Sequence, residues 1–188
     1  MEALDRHVVE WLAGLDWPVV TPLMKGFTYA GGAGAIWIVI GAAAAVRLRR
    51  PLVFVVLVVS VRLSAILDGV LKRAIGRQRP PLADPRVHPL IPLPHDPSMP
   101  SGHAMMAFTG AVFLAAVVPR FRWALLALAA AIGLSRVYLG VHYPSDVLVG
   151  ALLGAAIGAV AIPVLGVGER ALRSWRTRSR RRDAAARR

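Results

Sequence analysis

Two histidines, an aspartate and a set of cations recur in three short stretches whose spacing suits phosphate chemistry. The first runs from Lys72 to Arg79 and Pro80, the second is Pro100-Ser101-Gly102-His103, and the third holds Ser135, Arg136, His142 and Asp146. Phosphoryl transfer asks for positioning and charge stabilisation more than for elaborate covalent chemistry. Lys72, Arg79 and Arg136 can neutralise phosphate oxygens, and each arginine can bind two oxygens at once. Ser101 and Gly102 stand at a predicted helix start, where backbone N–H groups face an incoming anion. Gly102 also permits close backbone approach. A neutral imidazole is a competent nucleophile, and His142 precedes Asp146 by four residues. That interval lets the carboxylate accept one ring N–H, fixing the tautomer and stabilising the charge that develops on attack. His103 is then placed to protonate the leaving oxygen.

Each stretch alone has an ordinary reading. A His-x3-Asp pair is commonly a helix-end hydrogen bond. Pro-Ser-Gly before a helix is a common cap, and Lys72, Arg73, Arg77 and Arg79 could simply meet lipid headgroups. What resists those readings is that separate helices deliver all three stretches to one surface.

Those helices follow from the hydropathy. The chain of 188 residues is 56% apolar, with a mean hydropathy of +0.58, which suits a bilayer better than water. Five segments qualify as spans: Gly26 to Val46, Pro51 to Leu71, His103 to Val118, Trp123 to Arg136 and Val147 to Gly168. The expected fold is all-α, a transmembrane bundle of five to six helices. Leu4 to Leu15 has an apolar face opposed by Asp5, Arg6 and Glu10, the pattern of an interfacial helix. Those early charges also argue against a cleaved signal peptide. Gly150, Gly154 and Gly158 are spaced for close helix approach within the bundle. The segment from Arg73 to Pro100 holds eight of the fourteen prolines, which predicts a rigid extended loop rather than a helix. His88 and His95 in that loop are expected in solvent, and Asp68 is spaced to pair with Lys72. Arg62 and Asp68 both fall at membrane depth, where ionisable groups mark function or its support.

The net charge of +13 is unevenly spread, for nine of the 23 basic residues lie between Glu169 and Arg188. This divides the chain into an embedded region, 1–168, and a basic tail, 169–188. The tail reads as an anchor to anionic membrane lipids with Trp175 at the interface, not as a nucleic-acid site. Arg47, Arg49, Arg50, Arg120, Arg122 and the tail fall on one side. The positive-inside rule assigns that side to the cytoplasm and the proline-rich loop to the opposite face. No cysteine is present, which excludes a thiol nucleophile, a disulfide or a zinc–thiolate site. No cluster suggests another metal site.

The three stretches resemble the signature of the type 2 phosphatidic acid phosphatase family: Lys-x6-Arg-Pro, Pro-Ser-Gly-His and Ser-Arg-x5-His-x3-Asp. Every position is filled, and the helix pattern extends the resemblance over nearly all the chain except the tail. The resemblance implies a multi-pass plasma-membrane enzyme that hydrolyses a lipid phosphate without metal or cofactor. It implies His142 as nucleophile, His103 as general acid and Asp146 as orienting group. It implies phosphate binding by Lys72, Arg79, Ser101, Gly102, His103 and Arg136. The small size resembles the bacterial undecaprenyl diphosphate and phosphatidylglycerophosphate phosphatases. A polyprenyl diphosphate is the first expectation for the substrate, ahead of phosphatidate-type lipids or transfer to another hydroxyl.

Overall fold

The computed structural model describes residues 2–186, and all of its regular structure is helical. The α-helices are α1 (Glu2–Ala13), α2 (Val20–Gly31), α3 (Ala35–Leu48), α4 (Pro51–Ile75), the single turn α5 (Pro80–Ala83), α6 (Gly102–Val117), α7 (Arg122–Tyr138) and α8 (Pro144–Ala186). Prolines open α4, α5 and α8, where the missing N–H costs no intrahelical bond. Gly76 closes α4 in the left-handed region with φ 65°, as a helix C-cap glycine does.

Four stretches are long and apolar enough to cross a membrane: Val20–Leu48, Pro51–Ala83, Pro119–Tyr138 and Pro144–Trp175. Large apolar side chains line the bundle exterior, among them Val39, Val46, Leu148, Leu152 and Val160. Such a continuous apolar exterior calls for a lipid solvent. The chain is a multi-pass membrane protein.

α6 is the shorter central helix, packed against α4, α7 and α8. It buries Ala111, Phe113 and Leu114 in a core shared with Trp37, Leu57 and Ile132. Its partner α8 comes very close. A Cβ on Gly150 would stand 2.5 Å from the Ser101 carbonyl oxygen, one on Gly154 2.1 Å from that of Met105, and one on Gly158 2.7 Å from that of Thr109. The glycine stripe is therefore filled by α6 of the same chain, as expected of bundle packing. Thr109 Oγ1 donates to the Gly154 carbonyl at 3.0 Å and pairs with Ser64 at 2.7 Å. Hydroxyls thus join α4, α6 and α8 where no water competes.

The first span differs from the unbroken helix expected from Gly26 onward. It begins at Val20 and is interrupted between α2 and α3, where Ala33 has φ 50° and Gly34 has φ 75°. Packing accounts for the break: Cβ atoms on Gly31 and Gly34 would each lie 2.6 Å from Ile132 and Val61 side-chain carbons. Arg62 is also not inside the bundle as its depth suggested; it is exposed on the exterior. Asp68 does face inward, against Gly102.

At 12 residues, α1 is about 18 Å long and too short to cross a hydrocarbon core of about 30 Å. It caps the end of the bundle that carries the proline-rich loop, burying Val9 and Ala13 against Val87, Val137 and Tyr143 while Leu4 and Trp11 stay exposed. At the other end Arg50 grips Glu169 through two hydrogen bonds of 2.7 and 2.9 Å. α8 runs on past Gly168 without a break. Residues 187 and 188 of the basic tail lie outside the described residues.

Because Gly154 meets backbone rather than a movable side chain, Gly154→Ala is expected to lower the stability of the monomer by about 1–3 kcal/mol. Thermal unfolding in detergent, read with the oligomeric state, checks this. A changed oligomeric state with an unchanged monomer would overturn intramolecular packing of the stripe.

Candidate active site

The four helix ends at the loop-bearing end of the bundle deliver the signature residues. Lys72 lies in the last turn of α4, and the turn at Gly76 redirects the chain so that Arg77 and Arg79 follow. Ser101 caps α6, with Gly102 and His103 in its first turn. Arg136 is in the last turn of α7. The chain then reverses through Gly140, at φ 73°, to present His142 just ahead of α8 and Asp146 in its first turn.

His142 and Asp146 meet as their spacing predicts, with Nδ1 3.4 Å from Oδ2. That separation is long for a strong hydrogen bond. The carboxylate is held more firmly by its other partners. Ser98 Oγ donates to the same oxygen, the Tyr143 N–H donates to it at 2.9 Å, and Arg77 Nη1 donates to Oδ1 at 2.7 Å. On the far side of the ring, Arg79 Nη1 lies 3.1 Å from His142 Nε2. A guanidinium can only donate. Nε2 therefore carries the lone pair and Nδ1 the proton, a tautomer assigned from the network. Burial pushes the His142 pKa down to about 4 against the opposing pull of Asp146, and the neighbouring Arg79 and Arg136 charges lower it further. The result is a neutral imidazole whose Nε2 lone pair accepts from the Arg79 guanidinium.

Arg79 is nearly sealed from solvent, at 2% exposure, and its fork is fixed by backbone. Nε donates to the Asp96 carbonyl at 2.8 Å and Nη1 to the Val141 carbonyl at 2.7 Å. Lys72 pairs with Asp68 at 3.4 Å, the partner its spacing suggested, and also with Asp96. Arg136 Nη1 donates to Thr28 Oγ1 at 3.1 Å, and Thr28 pairs with Ser135 at 2.8 Å. Ser135 thus supports the support of Arg136. His103 is half-buried and within electrostatic reach of Arg136, His142, Lys72 and Arg79.

The expectation for Ser101 needs one correction. Its backbone N–H is already committed to the Asp146 carbonyl at 3.0 Å, because Gly150 lets α6 and α8 close on each other there. Its hydroxyl is different: Ser101 Oγ and Arg136 Nε are buried without a hydrogen-bond partner among the described residues. Buried donors are otherwise nearly always paired, so both suit an anion's oxygens. The described residues contain no group of three or more His, Asp or Glu side chains able to hold a metal. His88 and His95 are exposed, as expected.

Residues 53–167 match the PAP2 superfamily. The chain belongs to that family. It is 35% identical over 134 residues to the undecaprenyl-diphosphatase of Sulfolobus acidocaldarius, covering 71% of this chain and 65% of that protein. It is 34% identical over 157 residues to the lipid A 1-phosphatase of Rhizobium johnstonii, covering 80% and 64% respectively. It therefore spans just under two thirds of the length of those two relatives. With the decaprenylphosphoryl-5-phosphoribose phosphatase of Mycobacterium tuberculosis it shares 31% identity over 160 residues, covering 84% of this chain and 87% of that protein. Among solved structures, a transmembrane PAP2-type phosphatidylglycerolphosphate phosphatase from Bacillus subtilis superposes with a TM-score of 0.72 at 27% identity, over 90% of this chain and 86% of that one. LpxE of Aquifex aeolicus superposes with a TM-score of 0.70 at 27% identity, over 85% and 95%.

Within this PAP2 site, four contributors lie outside the signature. Arg77 bridges Asp146 to Asp5 of α1, donating to Asp5 Oδ2 at 2.8 Å while its guanidinium sits 4.1 Å over the Tyr143 ring. Ser145 joins the same knot, accepting from Arg77 at 2.7 Å and donating its N–H to Asp5 at 3.1 Å. Ser98 and Asp96 come from the proline-rich loop. The only sequence cue to these residues was a charge or hydroxyl beside a motif.

A histidine loses its charge above its pKa, and burial lowers that of His142 to about 4, so His142 should carry no charge at pH values where an ordinary histidine, near 6.5, is half protonated. Nitrogen-15 NMR of histidine-labelled protein in detergent at about pH 6 should show a neutral His142 ring protonated on Nδ1. An imidazolium signal, or the Nε2-protonated tautomer, would contradict the assignment.

Proposed function

We propose that this chain is an integral membrane phosphatase that hydrolyses a lipid phosphate or diphosphate through a phosphohistidine on His142 Nε2. The observation that carries it is the His142 Nε2 atom meeting the Arg79 guanidinium at 3.1 Å while Nδ1 faces Asp146, at the bundle end that also carries Lys72 and Arg136. The lone pair attacks phosphorus, forming the P–N bond as the bond to the leaving oxygen breaks, and His103 supplies that oxygen's proton. Lys72, Arg79 and Arg136, with the Ser101 hydroxyl and the Gly102 turn, take up the charge on the phosphoryl oxygens. Asp146, held by Arg77 and Ser98, stabilises the Nδ1–H as positive charge develops on the ring. Water, giving a proton back to His103, then cleaves the P–N bond and releases inorganic phosphate. Protein cations supply the charge stabilisation throughout, which supports a reaction that needs no metal or cofactor.

Polyprenyl diphosphate is the preferred substrate, with phosphatidate and phosphatidylglycerophosphate next. A membrane-edge site suits a phosphate headgroup with its tail in lipid, and one relative is named an undecaprenyl-diphosphatase. The site lies at the bundle end opposite Arg50 and Glu169. The positive-inside rule supports an extracytoplasmic site and a cytoplasmic basic tail held by anionic lipid.

Purified protein should release phosphate from undecaprenyl diphosphate faster than from phosphatidate or phosphatidylglycerophosphate. His142→Ala should reduce release to background and abolish an acid-labile, base-stable phosphate on the protein. Phosphate from none of the three lipids would overturn the reading. Inactivation by EDTA with rescue by magnesium would overturn its metal-free part.

Topology has its own check, made simple by the absence of native cysteine. In intact cells a membrane-impermeant maleimide should label His88→Cys, in the exposed loop, and spare Ser174→Cys. The reverse pattern would invert the orientation.

A further inference from the structure

Two of the three cations in this site already hold an anion, and the anion is part of the chain. The Asp96 carboxylate pairs with Lys72 Nζ through one oxygen and with Arg79 Nη2 through the other, at 2.8 Å. It engages the two cations as a pair of phosphate oxygens would. The Arg79 it holds is the same residue whose Nη1 covers the His142 Nε2 lone pair.

The partners differ sharply in freedom. Lys72 and Arg79 side chains are 7% and 2% exposed, whereas that of Asp96 is 49% exposed. Asp96 is ionised throughout the working range. Burial works against its charge, but Lys72 and Arg79 prevail and hold the carboxyl down at about 2. Neither cation depends on this carboxylate for its position. Lys72 keeps Asp68 at 3.4 Å, and Arg79 keeps three backbone carbonyls, of Asp96, Val141 and Pro97. The loop is anchored independently too, since the Ser98 N–H donates to the Arg77 carbonyl at 2.8 Å. The Asp96 side chain can therefore swing into solvent while its backbone stays in place. Two buried cations do not tolerate losing their counter-charge, so its departure is favourable only when another anion arrives.

We propose that Asp96 is an internal occupant of the phosphate site, exchanged for the substrate's phosphoryl group at Lys72 and Arg79. The inference rests on the phosphatase reading above and adds a residue that sets how strongly an anion must bind to enter. A weakly charged headgroup would not displace Asp96, whereas a phosphate dianion offers more charge to the same two cations.

Asp96→Asn and Asp96→Ala, compared with wild type in one detergent, test this. The occupant lowers apparent affinity by the fraction of sites it fills, so removing it should lower the inhibition constant of orthovanadate roughly tenfold. The KM for the lipid should fall in the same direction. An unchanged or raised inhibition constant in variants that still turn over would overturn the proposal and make Asp96 a scaffold. A wild type that releases no phosphate would instead sink the phosphatase reading. The wild-type protein gives a second readout that needs no variant. A zero-length carbodiimide cross-link between Lys72 and Asp96, located by mass spectrometry, should form in the anion-free protein and disappear at saturating orthovanadate. Its persistence there would overturn the exchange.

Discussion

Positive charge gathered at the lip of an apolar bundle is the constraint that organises this molecule. Like charges a few ångströms apart repel by about 4 kcal/mol at 4 Å for an effective dielectric near 20, and burial adds a solvation cost for each. Lys72, Arg79, Arg136 and Arg77 all gather at the bundle end that carries His142, so the surrounding structure has to supply acceptors. Asp68, Asp96, Asp146 and Asp5 provide the charges. Backbone carbonyls of Asp96, Pro97 and Val141 provide the rest for Arg79. The proline-rich loop matters here because proline leaves its neighbours' carbonyls without helical partners. That loop turns its free acceptors inward.

The same site depends on helix spacing fixed much deeper in the bundle. Gly150, Gly154 and Gly158 bring α8 against the backbone of α6, and the first contact of that ladder sets the Ser101 N–H on the Asp146 carbonyl. The two motifs carried by these helices are therefore locked together by main chain. Any side chain at Gly150 would push Ser101 and His103 away from Asp146 and His142 together. Helix packing and the geometry of the candidate site are here one interaction, which explains why small residues extend down α8 from the site.

How much of this was legible in the sequence follows the range of the interactions. Hydropathy runs gave the helices, because burial and lipid exposure are read residue by residue. The signature gave His103, His142, Asp146 and the principal cations, and its local spacing gave the Asp68–Lys72 and His142–Asp146 pairs. Contacts that cross the chain were not legible. Arg77 reaches Asp146 across 69 residues, and Ser145 reaches Asp5 across 140. No local period encodes either. Asp96 and Ser98 sat in a segment read as an extended loop, where composition says that the backbone is irregular but not what it faces. The break at Gly31–Gly34 was hidden for a similar reason. An apolar, glycine-rich run fits a straight or a broken helix, and only Ile132 and Val61 on neighbouring helices decide between them.

For the proposed mechanism, a neutral nucleophile is the choice this electrostatic setting favours. A carboxylate placed among these arginines would be consumed by ion pairing, as Asp96 and Asp146 are. An imidazole offers a lone pair without a charge, and Arg79 and Arg136 help keep the proton off it. In the proposed mechanism the cations that bind phosphate thus also hold the attacking group in its reactive form. Asp146 completes the arrangement from the other side of the ring. It stabilises the positive charge that appears only after the P–N bond has begun to form, and Arg77 and Ser98 keep it in place for that moment. Separating repulsion on Nε2 from attraction on Nδ1 lets one histidine remain unprotonated at rest and tolerate charge in the transition state.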